Sequence, residues 1–597
     1  MPYRAAAVNR REFVKADDHE THMPKPYRDG RLTLRQLLSI GLVVIGGLLV
    51  GCRRVTPATD QATPTAARSL TFTDVAAAAG LDFQQGAFRW GMSGDPVAMM
   101  GGGLCWLDYD RDGWLDLFVV NSYAEAEAGR WETNGGLPRS ALFHNVNGHF
   151  VDVSHAAGAD LPLRGNGCVA ADLDRDGWPD LYITTARFGM LLWNRRDGTF
   201  SEGAEAAGVG VYGWHTAAAV GDLNADGWPE LFVAGYVDIN NPIPEATLGF
   251  PNTFQARPDQ LFLNEGPNAN GRVTFREVGH DVGLESRGNE YGLGALMTDA
   301  DGDGNLDLYV ANDTNPNRLY INKLWPGGRP ADPLGIGFRF EEVAEQAGVA
   351  DKNSGMGVAA GDYDADGRSD LFVTNLGTQL NGAFRNISRV GMPLFEDVRQ
   401  HIGNDGEGIS WTSWGVTWAD FDLDTDLDLL IVNGNVPVQD LATDAQPVQL
   451  FRNLTAEGQA DQFEEITDAA GLSAVGPILG RGGAAADYDN DGDLDVAINT
   501  IGGQLVLLRN ETAGGNWLAV TPNSFYPGMT LTAILPDGHE VRRELQAGSS
   551  YLSSEEPRLH VGLGNTDKVT ELRIRWPDGR QTRLRDVAAN QWLVVGP

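Results

Sequence analysis

From residue 104 onward the chain alternates between short apolar runs and tight polar breaks. The runs DLFVV, DLYIT, ELFVA, DLYVA, DLFVT, DLLIV and DVAIN are rich in aromatic and β-branched residues and too short for helices, so each reads as a β-strand. An acidic loop precedes each one, and before the loop lies a glycine-rich apolar stretch, as in GGGLCWL (101–107) and GMGVAAG (355–361). After each comes a run ending in asparagine: Asn145, Asn194, Asn264, Asn322, Asn386, Asn453 and Asn510. A further run opens on phenylalanine: Phe72, Phe150, Phe200, Phe275, Phe340, Phe395 and Phe463. In LFHNVNGHF and LLWNRRDGTF an N-G or D-G turn joins the asparagine run to the phenylalanine run as a tight hairpin. The predicted sheet is therefore glycine-rich strand innermost, then the D-L strand, the asparagine strand and the phenylalanine strand.

The loops start 64, 50, 77, 63, 58 and 67 residues apart. Self-similarity at that interval, with four short strands per unit, predicts an all-β fold: a seven-bladed β-propeller over residues 70–512. The first phenylalanine strand (71–75) has no partner before it, and the last asparagine strand (505–510) has none after it. Pairing them would close the array and cover both edges.

The loops follow the template D-x-D-x-D-G-x-x-D-L. Their polar positions are Asp108, Asp110, Asp112 and Asp116; Asp172, Asp174, Asp176 and Asp180; Asp222, Asn224, Asp226 and Glu230; Asp299, Asp301, Asp303 and Asp307; Asp362, Asp364, Asp366 and Asp370; Asp420, Asp422, Asp424 and Asp428; and Asp487, Asp489, Asp491 and Asp495. Alternate residues of a tight loop can aim three oxygens at one point, and the ninth residue closes the cage. An all-oxygen set suits a hard cation and fits zinc or copper poorly, so the loops are read as Ca²⁺ sites, up to seven of them. A metal-free Asx turn is the plain alternative, but it would leave the repulsion between its carboxylates unrelieved. The strands that follow distinguish the loops from EF-hands, which need flanking helices. Asn224 and Glu230 weaken the third loop, and Thr425 replaces the glycine of the sixth, so these two are expected to release calcium first.

The formal charge is −36, and 27 of the 81 carboxylates occupy these loop positions. The acidity that remains argues against nucleic-acid binding. Three cysteines make no disulfide framework, and Cys105 and Cys168, in apolar strand contexts, are read as small buried thiols in preference to a bridge. Near the N-terminus, Arg28, Arg31 and Arg35 precede the apolar segment 37–51, which ends in LVGC. That ending resembles a bacterial lipobox, which implies export, cleavage and lipidation at Cys52; an uncleaved anchor helix is the alternative. Residues 1–52 are thus a signal or anchor that would hold the chain at a membrane of the cell envelope, and 53–69 a flexible tether.

The loops with their preceding glycines resemble FG-GAP/VCBS repeats, known from integrin α-chain propellers and bacterial surface proteins. After residue 512, NWL (516–518), AGSSYL (547–552), LHVGLG (559–564), RWPDG (575–579) and DVAANQW (586–592) look like an ASPIC/UnbV domain. Together they resemble the cartilage acidic protein family in its bacterial form over residues 70–597. Residues 523–530, where the family has a G-x-G-A-like turn, depart from its pattern. The resemblance implies an extracellular calcium-binding protein and no particular activity. Residues 513–597 are expected to form a separate small β-domain.

No G-x-S-x-G, H-E-x-x-H or phosphate-cradling loop is present, and the ten histidines are scattered. A monomeric binding or adhesion scaffold for a protein or glycan is favoured over an enzyme, of which a polysaccharide lyase is the alternative. Trp90, Trp214, His215, Tyr291, Trp411 and Trp414 fall near the entrances of the inner strands, where aromatics could stack on a ligand or merely plug the centre.

Overall fold

The computed structural model describes residues 68–284, 290–402 and 411–597; Cys52, the apolar segment and nearly all of the tether lie outside the described residues. Among the described residues, seven four-stranded antiparallel sheets lie between Phe72 and Asn510, all in the predicted strand order. The first sheet runs Leu104–Leu107, Asp116–Val119, Ala141–Val146 and His149–Asp152 from inside to outside. The seventh takes Gly480–Ala486, Asp495–Thr500 and Val506–Asn510 from the end of the array and Phe72–Asp74 from its beginning. Phe72 stands opposite Asn510, and Asp74 opposite Leu508, so both ends of the array share one sheet, as the turn lengths predict.

Each inner strand adjoins the inner strand of the next sheet, and Gly480–Ala486 adjoins Leu104–Leu107. Neighbouring sheets pack face against face. Leu104, Trp106, Leu117 and Val119 of the first sheet share a cluster with Ala484, Ala486 and Tyr488 of the seventh. This explains why the strands read as continuous apolar runs and not as alternating ones: both faces are buried, so Asp180–Thr185 has no exposed position.

The inner strands also carry a correction. Cys105 and Cys168, expected as free thiols, form a disulfide with Cα atoms 6.2 Å apart. The two cysteines are 63 residues apart in sequence, and only the side-by-side placement of consecutive inner strands brings them together.

Residues 516–595 form two further sheets. Asn516–Pro522 lies between Leu559–Gly564 and, in parallel, Gln591–Val595; Glu540–Glu544, Thr530–Ile534, Lys568–Arg575 and Gln581–Ala588 make the other. Their core holds Leu518, Val520, Met529, Leu531, Leu572, Ile574 and Trp576.

The segment between these sheets, 545–556, runs through the space that the seven inner strands enclose. Ala547 O accepts from Val220 N (3.0 Å), Leu552 O from Cys168 N (3.2 Å) and Ser554 O from Trp106 N (3.2 Å). Ser550 exchanges backbone bonds with Val358 (2.6 and 2.9 Å), and its hydroxyl bridges Val416 N and Gly483 O. The glycines of the inner strands make this approach possible: a Cβ on Gly103 would lie 1.8 Å from Leu552 O. The described residues accordingly cluster as one compact unit.

This arrangement speaks against a separable C-terminal domain. A chain ending at residue 512 would strip the inner-strand donors at Trp106, Cys168, Val220 and Val358 of their acceptors and empty the space that the inner strands pack around. We predict that such a truncation does not give a folded, protease-resistant product. A truncated protein with native circular dichroism and an unchanged melting midpoint would contradict this.

Candidate metal centres

Each acidic loop joins an inner strand to the next strand outward, and all seven share one backbone form. The fourth position is left-handed in every loop: Arg111, Arg175, Ala225, Gly302, Ala365, Leu423 and Asn490. The sixth also has positive φ, including +99° at Thr425, where a β-branched residue meets the strain expected from sequence. The first aspartate fastens the turn. In the second loop Asp176 N and Gly177 N, both at 2.9 Å, donate to the two Asp172 oxygens.

The ninth position does a second job that sequence reasoning missed. Asp116 accepts from Tyr109 N (3.1 Å) and from Asn145 N (2.8 Å), and its counterparts Asp180, Asp307, Asp370, Asp428 and Asp495 repeat the pair of bonds. Each loop is thereby tied to its own asparagine strand.

The asparagine side chain then reaches the neighbouring loop. Asn194 Nδ2 donates to Tyr109 O of the first loop, Asn264 to Leu173 O, Asn322 to Leu223 O, Asn386 to Ala300 O, Asn453 to Tyr363 O and Asn510 to Phe421 O. Asn145 Nδ2 donates to Tyr488 O of the seventh loop (2.8 Å) and so links last to first. The recurring asparagine was visible in the sequence, but its partner in the neighbouring repeat was not. Arg111 over Trp178 and Arg175 over Trp228 add cation–π contacts between consecutive loops.

Carboxylate oxygens converge in these loops. Asp172, Asp174 and Asp180, like Asp362, Asp364 and Asp370, place oxygens within 4.8 Å of one another, and so do Asp108, Asp110 and Asp112, and Asp299, Asp301 and Asp303. Buried oxygens of Asp110, Asp299, Asp362, Asp422, Asp487 and Asp489 have no hydrogen-bond partner. Burial, reinforced by neighbouring loop carboxylates, pushes Asp116 up to about 9 and raises Asp180, Asp307, Asp370, Asp428, Asp495 and Glu230 well above the carboxylate range. Converging, buried, unpartnered oxygens with no soft donor fit a hard divalent cation.

The FG-GAP-like repeat family matches residues 108–183, 172–233 and 299–373, and the ASPIC and UnbV family matches residues 520–597. Cartilage acidic protein 1 of Homo sapiens is 27% identical over 335 residues, 54% of this chain and 46% of its own length. The chain is an FG-GAP-repeat protein with a C-terminal ASPIC/UnbV domain, homologous to cartilage acidic protein 1. It spans about half the length of the curated relatives it matches. Among solved structures, an Agrocybe aegerita lectin recognising non-reducing terminal N-acetylglucosamine has 12% identity and a TM-score of 0.36, covering 68% of this chain and 86% of its own. The rhamnogalacturonan lyase YesW has 13% identity and a TM-score of 0.30, covering 83% and 90%.

The ASPIC/UnbV domain sits on the acidic loops of the FG-GAP repeats. Ser524 Oγ donates to Asp172 Oδ2 (3.0 Å), Asp299 N to Glu544 Oε1 (3.2 Å), Arg558 to Asp487 O (2.6 Å) and Arg543 to Thr425 O (3.1 Å). These contacts reach the second, fourth, sixth and seventh loops, while the tips of others, such as Asp112 and Asp366, stay exposed.

The other end of the repeats, where the inner strands begin, holds a cavity of about 620 Å³. Met99, Met100, Leu293, Met356, Leu376 and Trp414 line it, together with Tyr236, Phe250 and Phe254 from the 235–260 insertion. Its one charged lining residue, Asp313, accepts from Tyr236 Oη (2.8 Å). Tyr551 of the ASPIC/UnbV domain lies beneath, 4.8 Å from Trp414, with its hydroxyl on Met100 O.

Of the six residues singled out at this end, Trp414 lines the cavity, although Arg481 stacks on it at 4.0 Å and it is otherwise buried. Trp214, His215 and Tyr291 are buried; burial and Arg257 push His215 down to about 4. Trp411 is half-buried, and Trp90 is 37% exposed against Trp131. Tyr236, Phe250 and Phe254 were not foreseen, because they come from an insertion that only the fold turns towards the centre.

Two predictions follow from the loop geometry. Asn145→Ala leaves Leu115 O and Tyr488 O without their donor and should cost about 2–4 kcal/mol in a urea titration; a loss under about 0.5 kcal/mol would contradict the bridging role. In metal-free protein the raised loop carboxylates bind more protons folded than unfolded, so stability is greatest below pH 4 at these groups and falls as pH rises through about 6 to 9. The melting midpoint of chelator-treated protein should drop between pH 5 and pH 8; a rise over that range would contradict the assignment.

Proposed function

We propose that the chain is an exported, calcium-stabilised seven-bladed β-propeller that serves as an extracellular binding scaffold, with its ligand entering the cavity opposite the ASPIC/UnbV domain. The observation that carries this reading is the division of the two ends. One end is an array of carboxylate cages capped by the C-terminal domain, and the other is an open, aromatic cavity of about 620 Å³.

Calcium is supported by the all-oxygen donor set and the unpartnered buried oxygens. When bound, it would supply the positive charge that the loop carboxylates lack. Export is supported by the Cys105–Cys168 disulfide and by the apolar segment ending at Cys52, which would be lipidated and hold the scaffold at the cell envelope. A protein ligand fits the cavity better than a polysaccharide, because its wall is mostly Met, Leu, Val, Pro and aromatic side chains. The one charged lining residue, Asp313, is occupied by the Tyr236 hydroxyl (2.8 Å), and no Lys, Arg or His stands beside it, which favours binding over catalysis.

The test has two arms. Chelation should lower the melting midpoint by about 10 °C or more, since several ligands lost from the folded state act together; an unchanged midpoint would remove the calcium reading. Peptide and glycan arrays probed in calcium should yield a binder that Leu376→Arg, at the cavity wall, abolishes without changing the midpoint. A binder retained by that variant would place the ligand elsewhere.

A further inference from the structure

We propose that the sixth acidic loop is the tightest divalent-cation site in the chain, and that Glu457, a residue outside the repeated motif, completes its cage. The inference rests on the calcium reading above and reverses the order expected from sequence for this loop.

The sixth loop is the most buried of the seven: Asp420, Asp422, Asp424, Asp426 and Asp428 are all buried, whereas the other loops expose or half-expose at least one ligand position. Asp422 is 1% exposed, yet neither of its carboxylate oxygens has a hydrogen-bond partner. Asp426, at the seventh position, is 4% exposed with Oδ1 likewise unpartnered. A buried carboxylate with two idle oxygens is unfavourable unless a cation meets it.

Glu457 is brought to this cluster by the turn after the asparagine strand. Asn453 Nδ2 holds Leu427 O (3.1 Å), and Ala456 N donates to Asp426 Oδ2 (2.8 Å), which sets the next residue against the loop. Both Glu457 oxygens are buried without a partner, and its charge bears directly on Asp422 and Asp424. Arg452 and Arg68 act on Asp422 without hydrogen-bonding its carboxylate, and Arg543 forms an ion pair with Asp420 Oδ2 (3.7 Å) and donates to Thr425 O. Thr425 is held in its strained conformation by its own N–H on Asp420 Oδ2 (3.0 Å) and by that arginine, so the loop keeps its form without glycine.

The third loop shows the opposite state. Arg329 donates to Asp226 Oδ2 (2.9 Å), and the Asn224 amide donates to Ile336 O (3.1 Å) and faces Glu230 Oε1. Its donors are already partly satisfied by the chain itself. Charge count and idle oxygens both rank the sixth loop above the third.

The test is a Tb³⁺ luminescence titration of the full chain stripped with chelator, with Ca²⁺ competition, on wild type, Glu457→Gln and Glu465→Gln. Glu457→Gln keeps the shape and removes the charge; it should weaken the first equivalent at least tenfold, while Glu465→Gln, at an exposed carboxylate outside the loops, leaves that equivalent unchanged. A structure with one equivalent of Tb³⁺ should show its anomalous peak at the sixth loop. A first equivalent unaltered by Glu457→Gln, or a peak at another loop, would overturn the proposal. Absence of any binding in wild type would remove the calcium reading itself.

Discussion

Buried carboxylates crowded onto one face of the repeats are the constraint on which the rest of this structure depends. Each loop brings three to five acidic groups together at the junction of two strands, and like charges at that spacing repel strongly when water is excluded. The backbone answers part of the demand. Loop N–H groups satisfy the first aspartate, and the asparagine strand satisfies the ninth. The remaining oxygens point at no protein donor, and this shortfall argues for cations.

The same constraint organises neighbouring sheets. Because every asparagine amide donates to the loop before it, a distortion in one loop reaches the next through a buried hydrogen bond, and Asn145 carries this from the seventh loop to the first. The ASPIC/UnbV domain adds a second connection along the axis. Its 545–556 segment bonds to inner strands of six of the seven sheets, while its outer residues rest on the loops. Tyr551, midway along this segment, lies under the cavity, so the loop face and the open face share one piece of chain.

Strand order, sheet membership and the shared sheet at the chain ends were legible from turn lengths and apolar runs, because those signals are local. The acidic positions were legible for the same reason. What escaped were contacts between repeats. Asn145 and Tyr488 are 343 residues apart, and nothing near either one announces the other. Cys105 and Cys168 looked like isolated apolar positions until consecutive inner strands were set side by side. Trp214 and Tyr291 fell at the inner-strand entrances as expected, but burial there depends on the 235–260 insertion folding over them, and linear position does not carry that. Glu457 escaped because it lies 29 residues beyond Asp428, the last ligand position of the motif it joins.

The central claim is that cation-filled loops and their asparagine bridges hold the repeats together as one cooperative body. Hydrogen exchange on the full chain, with calcium and after chelation, tests it most directly. The amides of Asn145, Asn194, Asn322, Asn386, Asn453 and Asn510 donate to the ninth carboxylates, and they should be strongly protected with calcium. On chelation the account predicts that all six lose protection together with the inner strands. Loss confined to individual acidic loops, with these amides still protected, would contradict it.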